Sequence, residues 1–308
     1  MKRRDFLKKG ILWGLAAGSV PSFARISRAI ESVPEGESGQ VCDMVAVKGA
    51  EPDVMFDKAI EAFGGIRRYV RPNQTVVVKP NIGWDVSPER GGNTNPKLVK
   101  QIIRHCIDAG AKDVYVFDHT CDQWARCYKN SGIEQAVKDA GGKIVPAHEE
   151  RYYHKVEIKQ GERLKNARVH EKILESDVFI NVPILKSHSS AMLTVGMKNH
   201  MGIVWDRGYW HRNDLHQCIA DFATFKRPDL TVIDAYYVMK KNGPKGVSVA
   251  DIETMKSQII AKDPVAADTA AAKTFGLDPD EVGYIKIAQK LKVGTMDLST
   301  LSIKKISL

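Results

Sequence analysis

From residue 74 onward, short apolar runs alternate with segments in which apolar residues recur at helical spacing. The runs QTVVVKPN and DVYVFDHT are rich in β-branched and aromatic residues and have the length of strands. Between them, NPKLVKQIIRHCIDAGA repeats apolar residues every three or four positions, with Asn95 placed to cap a helix and Gly110 placed to end it. A strand, a helix and a second strand form a crossover unit, which predicts a parallel sheet.

The same alternation continues, more loosely, to the end of the chain, without an internal repeat or a low-complexity tract. The sequence therefore predicts an α/β fold with a mostly parallel, twisted sheet and helices on both faces. Further helices are predicted in GIEQAVKDAGG, ARVHEKILES, DLHQCIADFATF, PVAADTAAAKTFG and PDEVGYIKIAQKL, and further strands in KIVPA, DVFINVPIL, DLTVIDAYYV and SQIIA.

A short helix is a further hypothesis for residues 191–202. In such a helix Thr194 and Lys198 lie one turn apart on the same face. Lys198 would then point toward the end of the preceding strand, where Lys186 and His188 lie. The alternative is a core helix whose lysine buries its aliphatic stem and extends its ammonium group to water.

The first 29 residues have the pattern of an export signal. The stretch RRDFLK, which begins at Arg3, carries the twin-arginine motif, and an apolar run over residues 11–20 follows it. That run is shorter than the roughly 20 apolar residues that span a bilayer. The alternative interpretation is a basic amphipathic helix that stays attached. We predict a signal peptide over residues 1–29, a polar linker over residues 30–40 and a folded domain over residues 41–308.

A twin-arginine signal predicts that the protein crosses the membrane already folded, with the twin-arginine translocase as a transient partner. The expected location is the periplasm or another extracytoplasmic compartment, with no stable membrane span after cleavage. Proteins that take this route often receive a cofactor in the cytoplasm, so a bound cofactor of unknown identity is expected. The five cysteines are an odd number, which leaves at least one thiol free or acting as a ligand, and pairing of Cys121 with Cys127 stays open.

The net charge of +9 does not indicate nucleic-acid binding once the signal is set aside. Residues 1–29 contain seven Lys and Arg and one acidic residue. Removing them from the totals of 46 basic and 37 acidic residues leaves 39 against 36, a charge near +3. We therefore expect no nucleic-acid partner.

Polar side chains follow the predicted strands at the points where those strands end. Ligands of open parallel sheets bind outside the carboxyl ends of the strands, so these residues are candidates for a common site. Lys79 and Asn81 follow the first strand, Asp118, His119 and Cys121 the second, Lys186 and His188 the third, and Asp234 the fourth.

Lys79, Lys186 and Lys198 form the natural group for an anionic ligand, because an ammonium binds phosphate or carboxylate without demanding one geometry. The Gly-rich stretch RGGNTNP, residues 90–96, leads into a predicted helix, so its N–H groups could face an anion. It lacks the spacing of a P-loop. The aromatic segment WDRGYWHRNDLH, residues 205–216, is either a lid over the site or a surface loop that folds its aromatic rings inward.

A metal site has candidate ligands but no recognised spacing, since the chain lacks a CxxC pair, an HExxH helix and a ferredoxin run. The presence and identity of a metal therefore stay open. The candidate ligands are His188 with His200, His119 with Cys121, Cys121 with Cys127, and His211 with His216.

Five ordered segments, VVKPNIG, NTNP, DVFINVPILKSHSSAMLTVGMKNHMG, DLTVIDAYYVM and DPVAADTAAA, resemble the DUF362 family of uncharacterised bacterial and archaeal proteins. The resemblance covers residues 76–272. Its motifs fall on Lys79, Asn81, Asn95, Pro96, Asn181, Pro183, Lys186, His188, Lys198, Asn199, Gly202, Asp234, Asp263 and Asp268.

The resemblance implies little about the reaction. Some relatives join this domain to ferredoxin-type modules, which implies iron–sulfur redox chemistry nearby, although this chain lacks the corresponding cysteine run. The family is also distantly similar to lactate-racemase-type proteins, whose sites use Lys and His around a nickel cofactor.

Two functional hypotheses follow. The first is an exported cofactor- or metal-dependent enzyme, with redox chemistry as one option, in which an imidazole acts as general acid or base, lysines hold an anionic substrate or cofactor, and an aspartate orients an imidazole or a metal. The second is a non-catalytic binding protein for an anionic ligand or a metal complex. The predicted catalytic residues are His188, His200, Lys186 and Asp118, and the predicted ligand- or cofactor-binding residues are Lys79, Asn81, Asn95, Lys198, Asn199 and Asp234.

Overall fold

The computed structural model of the protein describes residues 42–308. The predicted signal peptide, residues 1–29, and the predicted linker, residues 30–40, lie outside the described residues.

Strands and helices alternate along the described chain. The strands are β1 (Met44–Lys48), β2 (Thr75–Pro80), β3 (Asp113–Val116), β4 (Lys143–Ile144), β5 (Tyr153–Glu157), β6 (Asn166–His170), β7 (Val178–Val182), β8 (Ile184–His188), β9 (Met192–Thr194), β10 (Leu230–Met239), β11 (Ile252–Ala261) and β12 (Ile303–Ser307). The α-helices are α1 (Pro52–Ala62), α2 (Pro96–Asp108), α3 (Trp124–Asn130), α4 (Ile133–Asp139), α5 (Glu171–Glu175), α6 (Gly196–Asn199), α7 (Arg207–Arg212), α8 (Leu215–Phe225), α9 (Pro264–Phe275) and α10 (Gly283–Lys290).

One large sheet carries the described domain, with the strand order β12-β1-β11-β10-β7-β2-β3-β4. The pairs from β10 through β7, β2 and β3 to β4 are parallel, whereas β11 is antiparallel to both of its neighbours. β8 continues beyond β7 alongside β10, and β9 folds back against β8. β5 and β6 form a separate antiparallel pair. The predicted α/β fold with a mostly parallel sheet is confirmed.

Both faces of the sheet are buried. In β2, Val77 belongs to the apolar cluster that includes α8 and α9, whereas Val76 and Val78 belong to the cluster that includes α1 and α2. Successive side chains of a strand point to opposite faces, so helices must cover both. This is why β2 is an unbroken run of apolar residues and does not alternate with polar ones.

The segment ARVHEKILES, predicted as one helix, is instead the end of β6 followed by α5. Ala167 and Val169 are buried and Arg168 between them is exposed. This two-residue alternation suits the pairing with β5, which outweighs the helical spacing of the apolar residues.

The helix predicted over residues 191–202 is likewise replaced by β9, α6 and a 3₁₀ turn at His200–Ile203. Met192, with φ 62°, adopts the left-handed conformation and pairs with His188 as the chain returns along β8. Thr194 therefore ends a strand and does not lie one helical turn before Lys198.

The start of α6 is fixed by Asp268 from α9. The Met197 N–H donates to Asp268 Oδ2 over 2.9 Å. Gly196 permits this approach, because a Cβ at that position would lie 2.3 Å from Asp268 Oδ1. Burial raises the pKa of Asp268 to about 8, although hydrogen bonds from Met197 and Gly196 oppose the shift.

We predict that Asp268→Asn removes a pH-dependent part of the stability. A pKa raised from about 4 to about 8 means that the folded protein holds a proton that the unfolded chain releases, so the free energy of unfolding falls as the pH rises through this window. The limiting slope is about 1.4 kcal/mol per pH unit for one group. Guanidinium denaturation at about pH 5 and about pH 8 should show the variant gaining stability relative to wild type at the higher pH. Parallel curves would contradict a buried protonated carboxyl.

Candidate functional site

A cavity of about 270 Å³ lies at the carboxyl ends of β2, β3 and β8. This is the position at which parallel sheets usually bind their ligands. Its wall carries four cationic side chains and a single carboxylate. The lining residues are Lys79, Asn81, Gly83, Trp84, Asp118, His119, Cys121, Lys186, His188, Ser189, Ser190, Thr194, Lys198, Asn199, Met201, Gly202, Arg207, His211 and Pro244.

The carboxylate is already paired. Asp118 Oδ1 lies 3.0 Å from Lys79 Nζ, and both side chains are buried. Asp118 Oδ2 accepts a hydrogen bond from the Ile82 N–H over 2.6 Å. Burial lowers the pKa of Lys79, and the neighbouring carboxylate opposes that shift. Asp118 thus orients an ammonium group, whereas the sequence led us to expect an imidazole or a metal.

Gly202 closes over this ion pair. A Cβ at Gly202 would lie 1.7 Å from Asp118 Oδ1 and 2.5 Å from Lys79 Nζ. The Gly202 carbonyl also accepts a hydrogen bond from the His119 N–H over 2.9 Å. The absence of a side chain is therefore a requirement of the site and has nothing to do with backbone flexibility.

Asn199 is the centre of the hydrogen-bond network. Its Oδ1 accepts from Lys79 Nζ over 2.9 Å and from Asn81 Nδ2 over 3.0 Å. Its Nδ2 donates to Asn181 Oδ1 over 2.9 Å. The amide of Asn81 is thereby oriented, so that its Oδ1 accepts from Lys186 Nζ over 3.1 Å.

Lys186 is buried and held at two points. Besides Asn81, its Nζ donates to the carbonyl oxygen of Gly92 over 2.6 Å. The Gly-rich loop at residues 90–96 therefore presents a carbonyl oxygen to this lysine, where the sequence suggested N–H groups for an anion. Burial lowers the pKa of Lys186 to about 7, and the nearby charge of Lys198 adds to the effect.

Lys198 differs from the other lysines of the site. Its side chain is 8% exposed, and within residues 42–308 it has neither a hydrogen-bond nor an ion-pair partner. Burial lowers its pKa to about 8, with Arg207 and Lys79 contributing in the same direction. A buried ammonium without a counter-ion is costly, so this position calls for a ligand.

His188 faces the pocket as a neutral ring. Its Nδ1 accepts hydrogen bonds from the N–H groups of Ser190 and Ala191 over 3.1 and 3.2 Å, which assigns the ring proton to Nε2. Burial lowers its pKa to about 3, and the charges of Lys198 and Lys186 lower it further. His188 is therefore suited to donate a hydrogen bond and poorly suited to accept a proton.

Three residues of the predicted site lie outside the pocket lining. His200 is fully buried, with its ring 5.8 Å from the rings of both Phe179 and Phe222. Asn95 caps α2 by accepting from the Lys97 N–H, and its own N–H donates to Asp234 Oδ2 over 2.7 Å.

Asp234 also accepts from the Tyr236 N–H over 3.0 Å, and burial raises its pKa to about 6. Together with Asn95 it fastens β10 to the start of α2. These contacts give both residues a structural role, in place of the ligand contact that the sequence suggested.

Sequence reasoning did not select Arg207, which lines the pocket. Cys121 also lines the pocket, as expected of a polar residue that follows the second predicted strand. The guanidinium of Arg207 donates to the carbonyl oxygens of His119 and Thr120. Trp210 anchors the same helix, α7, in the core with no exposed surface. The aromatic segment therefore folds the ring of Trp210 inward, as one of the two interpretations expected, and contributes Arg207 and His211 to the lining of the pocket.

Metal ligands are not clustered in the described part of the chain. Among residues 42–308, no three His, Cys, Asp or Glu side chains are arranged to hold a metal ion. Cys121 and Cys127 are both free thiols, the first exposed and the second buried. None of the helices described in this range has the length and apolar character needed to cross a membrane.

Comparison with known proteins supplies a family and a relative. The family described as "Domain of unknown function (DUF362)" matches residues 76–273. The thylakoid-associated protein sll1697 of Synechocystis sp. is 26% identical over 242 residues, which cover 71% of this chain and 74% of that protein.

Two solved structures resemble this one more distantly. The lactate racemase apoprotein from Thermoanaerobacterium thermosaccharolyticum has a TM-score of 0.44 and 13% identity, over 84% of this chain and 61% of that one. A Thermotoga maritima protein solved by the Northeast Structural Genomics Consortium has a TM-score of 0.44 and 12% identity, over 82% and 60%. This chain thus spans about three fifths of each of these longer proteins. On the family match, which takes in well over half of its residues, the chain belongs to the DUF362 family, a domain of unknown function.

Proposed function

We propose that this protein is an enzyme that binds a small anionic substrate or cofactor in the pocket and uses lysine amines for proton transfer. The observation that carries the proposal is the uncompensated charge of the pocket. Asp118 neutralises Lys79, whereas Lys186, Lys198 and Arg207 face the same cavity without a second carboxylate among its lining residues. A ligand with one or two negative charges would balance them.

The size and the polarity of the cavity narrow the class of ligand. A volume of about 270 Å³ is at the low end for ligand sites, which suits a molecule with a few carbon atoms or a single phosphate. Lys198 contributes an unpaired ammonium, and His188 contributes an Nε2–H donor. These donors match the oxygens of a carboxylate or a phosphate.

The pKa values of two lysines are suited to acid–base catalysis. A general acid or base works best when its pKa lies near the working pH. Burial lowers the pKa of Lys186 to about 7 and that of Lys198 to about 8, so each amine can exchange a proton near neutrality. The alternative, a non-catalytic carrier of an anion, requires no such tuning.

We also propose that the twin-arginine translocase exports the folded protein to an extracytoplasmic compartment. The motif at Arg3 and Arg4 supports this location, and the thylakoid-associated relative is consistent with it. A cofactor, if the anion is one, would be loaded before export.

We predict that Lys198→Met weakens anion binding at least about tenfold, which corresponds to about 1.4 kcal/mol. The variant keeps the length of the side chain and removes the unpaired charge. Isothermal titration at low ionic strength with malonate and with inorganic phosphate would measure the affinities. Lys286→Met, on an exposed side chain of α10, is the control and should bind as wild type does. Equal affinity of wild type and Lys198→Met for both anions, or no binding to wild type, would contradict the proposal.

We predict that Lys198→Met stabilises the ligand-free protein near neutral pH and loses this advantage in alkali. The pKa of Lys198 is lowered from 10.5 to about 8, so the unfolded chain holds the proton more tightly than the folded protein does. The cost of the buried charge is fully present below about pH 8 and disappears as the pH rises toward about 10.5. Chemical denaturation at about pH 6.5 and about pH 10 tests this, with Lys286→Met as the control. A variant less stable than wild type at the lower pH would refute a costly buried ammonium.

We predict that replacing Arg3 and Arg4 by lysine blocks export, because the translocase recognises the arginine pair itself and the positive charge alone does not suffice. Cell fractionation should find the variant in the cytoplasm. The matched control replaces Arg25 and Arg28 by lysine, which leaves the motif intact, and should be exported normally. Export of the first variant at the wild-type level would show that another route is used.

A further inference from the structure

The geometry of the pocket points to covalent chemistry at one lysine. We propose that the ε-amino group of Lys198 forms a Schiff base with the carbonyl carbon of a small oxo acid. This inference rests on the proposed function, since it takes the anion of the pocket to be a carboxylate that also carries a carbonyl group. It adds the class of substrate and the residue that bonds to it.

Lys198 is the amine that is free to react. Lys79 is held by Asp118 and Asn199, and Lys186 donates to Asn81 and Gly92. Lys198, by contrast, has no partner among the described residues, although its side chain is only 8% exposed. Its nitrogen lone pair is therefore not restrained by a hydrogen-bonding network when the amine is neutral.

The surroundings of Lys198 favour the neutral amine. Desolvation and the positive charges of Arg207 and Lys79 oppose protonation, which is the known way to activate a lysine for attack on a carbonyl. With a pKa of about 8, roughly a tenth of the amine is neutral at about pH 7. An exposed lysine at its ordinary pKa has less than about a thousandth in that form.

The other pocket residues suit the two ends of an oxo acid. The cations of Lys186 and Arg207 can hold the carboxylate. The Nε2–H of His188 can donate to the carbonyl oxygen and stabilise the negative charge that develops there. Thr194 is 4% exposed, and its buried hydroxyl has no hydrogen-bond partner in the described structure, so it is a second group available to that oxygen.

The reaction balances with the amine and the oxo acid alone. The lone pair of the neutral amine attacks the carbonyl carbon, the carbonyl π electrons move to oxygen, and a proton passes from nitrogen to oxygen to give a carbinolamine. Loss of that oxygen as water forms the C=N bond, and protonation of nitrogen gives an iminium ion. The iminium draws electrons from a bond on the adjacent carbon, so cleavage of a C–H or C–C bond there becomes possible, and hydrolysis returns the amine.

Borohydride trapping tests the proposal, because reduction of the C=N bond makes the adduct permanent. The full chain is incubated at about pH 7 with pyruvate or oxaloacetate and sodium cyanoborohydride, and intact mass and peptide mapping locate the adduct. We expect a single adduct on the peptide that contains Lys198. Acetone, which has the carbonyl group and lacks the carboxylate, should give at most about a tenth of that labelling under the same conditions, a loss that corresponds to about 1.4 kcal/mol of binding free energy.

The variants separate this inference from the proposed function. Lys198→Met and Lys198→Arg should both lose the adduct, the second while retaining the positive charge, and circular dichroism would establish that both are folded. Lys186→Met should keep the adduct in reduced yield, and Lys286→Met should match wild type. Binding of pyruvate to wild type without an adduct, or an adduct on Lys186, would overturn the Schiff base at Lys198 and leave the anion site standing. Absence of binding by any of the anions would overturn both.

Discussion

The ion pair between Lys79 and Asp118 is the contact on which the site depends. It joins the ends of two neighbouring strands, β2 and β3, in a region closed to water. Asn199 of α6 completes it, since its side-chain and main-chain oxygens both accept from Lys79 Nζ. Asn199 also donates to Asn181 of β7, so one amide connects three elements. A buried charge pair is stable only when further hydrogen bonds accompany it, and these contacts supply them to the ammonium of Lys79.

That pair also explains why the other cations of the pocket are left over. Asp118 neutralises Lys79, and the other lysines that line the pocket have no carboxylate to neutralise them. Burial of Lys186 and Lys198 destabilises the ligand-free protein, because their ammonium groups lose hydration. The same loss lowers their pKa values to about 7 and about 8. Proteins commonly accept such a loss of stability where it prepares a site for its ligand. The uncompensated positive charge therefore lowers the stability of the ligand-free domain and raises the affinity of the pocket for an anion.

Sequence reasoning located the site because strand ends in a parallel sheet converge, and Lys79 and Lys186 were found by that rule. It failed where the ends of elements were misjudged. Asp234 was taken to follow a strand, but β10 runs on to Met239, so Asp234 lies inside the sheet. His200 follows α6 in a 3₁₀ turn and enters the core. Arg207 lies in a segment without hydrophobic periodicity. The orientation of its helix, α7, is determined by the burial of the Trp210 ring, which no local sequence pattern indicates.

The chemistry of the site follows from the same charges. An imidazole near several ammonium groups cannot easily gain a proton, and the backbone donors at Nδ1 of His188 fix it further as a neutral donor. Burial, together with the same repulsion, lowers the pKa of the lysine amines and so supplies their unprotonated form near neutral pH. Burial and positive charge together therefore leave the role of base to a lysine and not to His188. In this pocket, neighbouring cations such as Arg207 attract the anion and also help to keep the amine of Lys198 neutral and reactive.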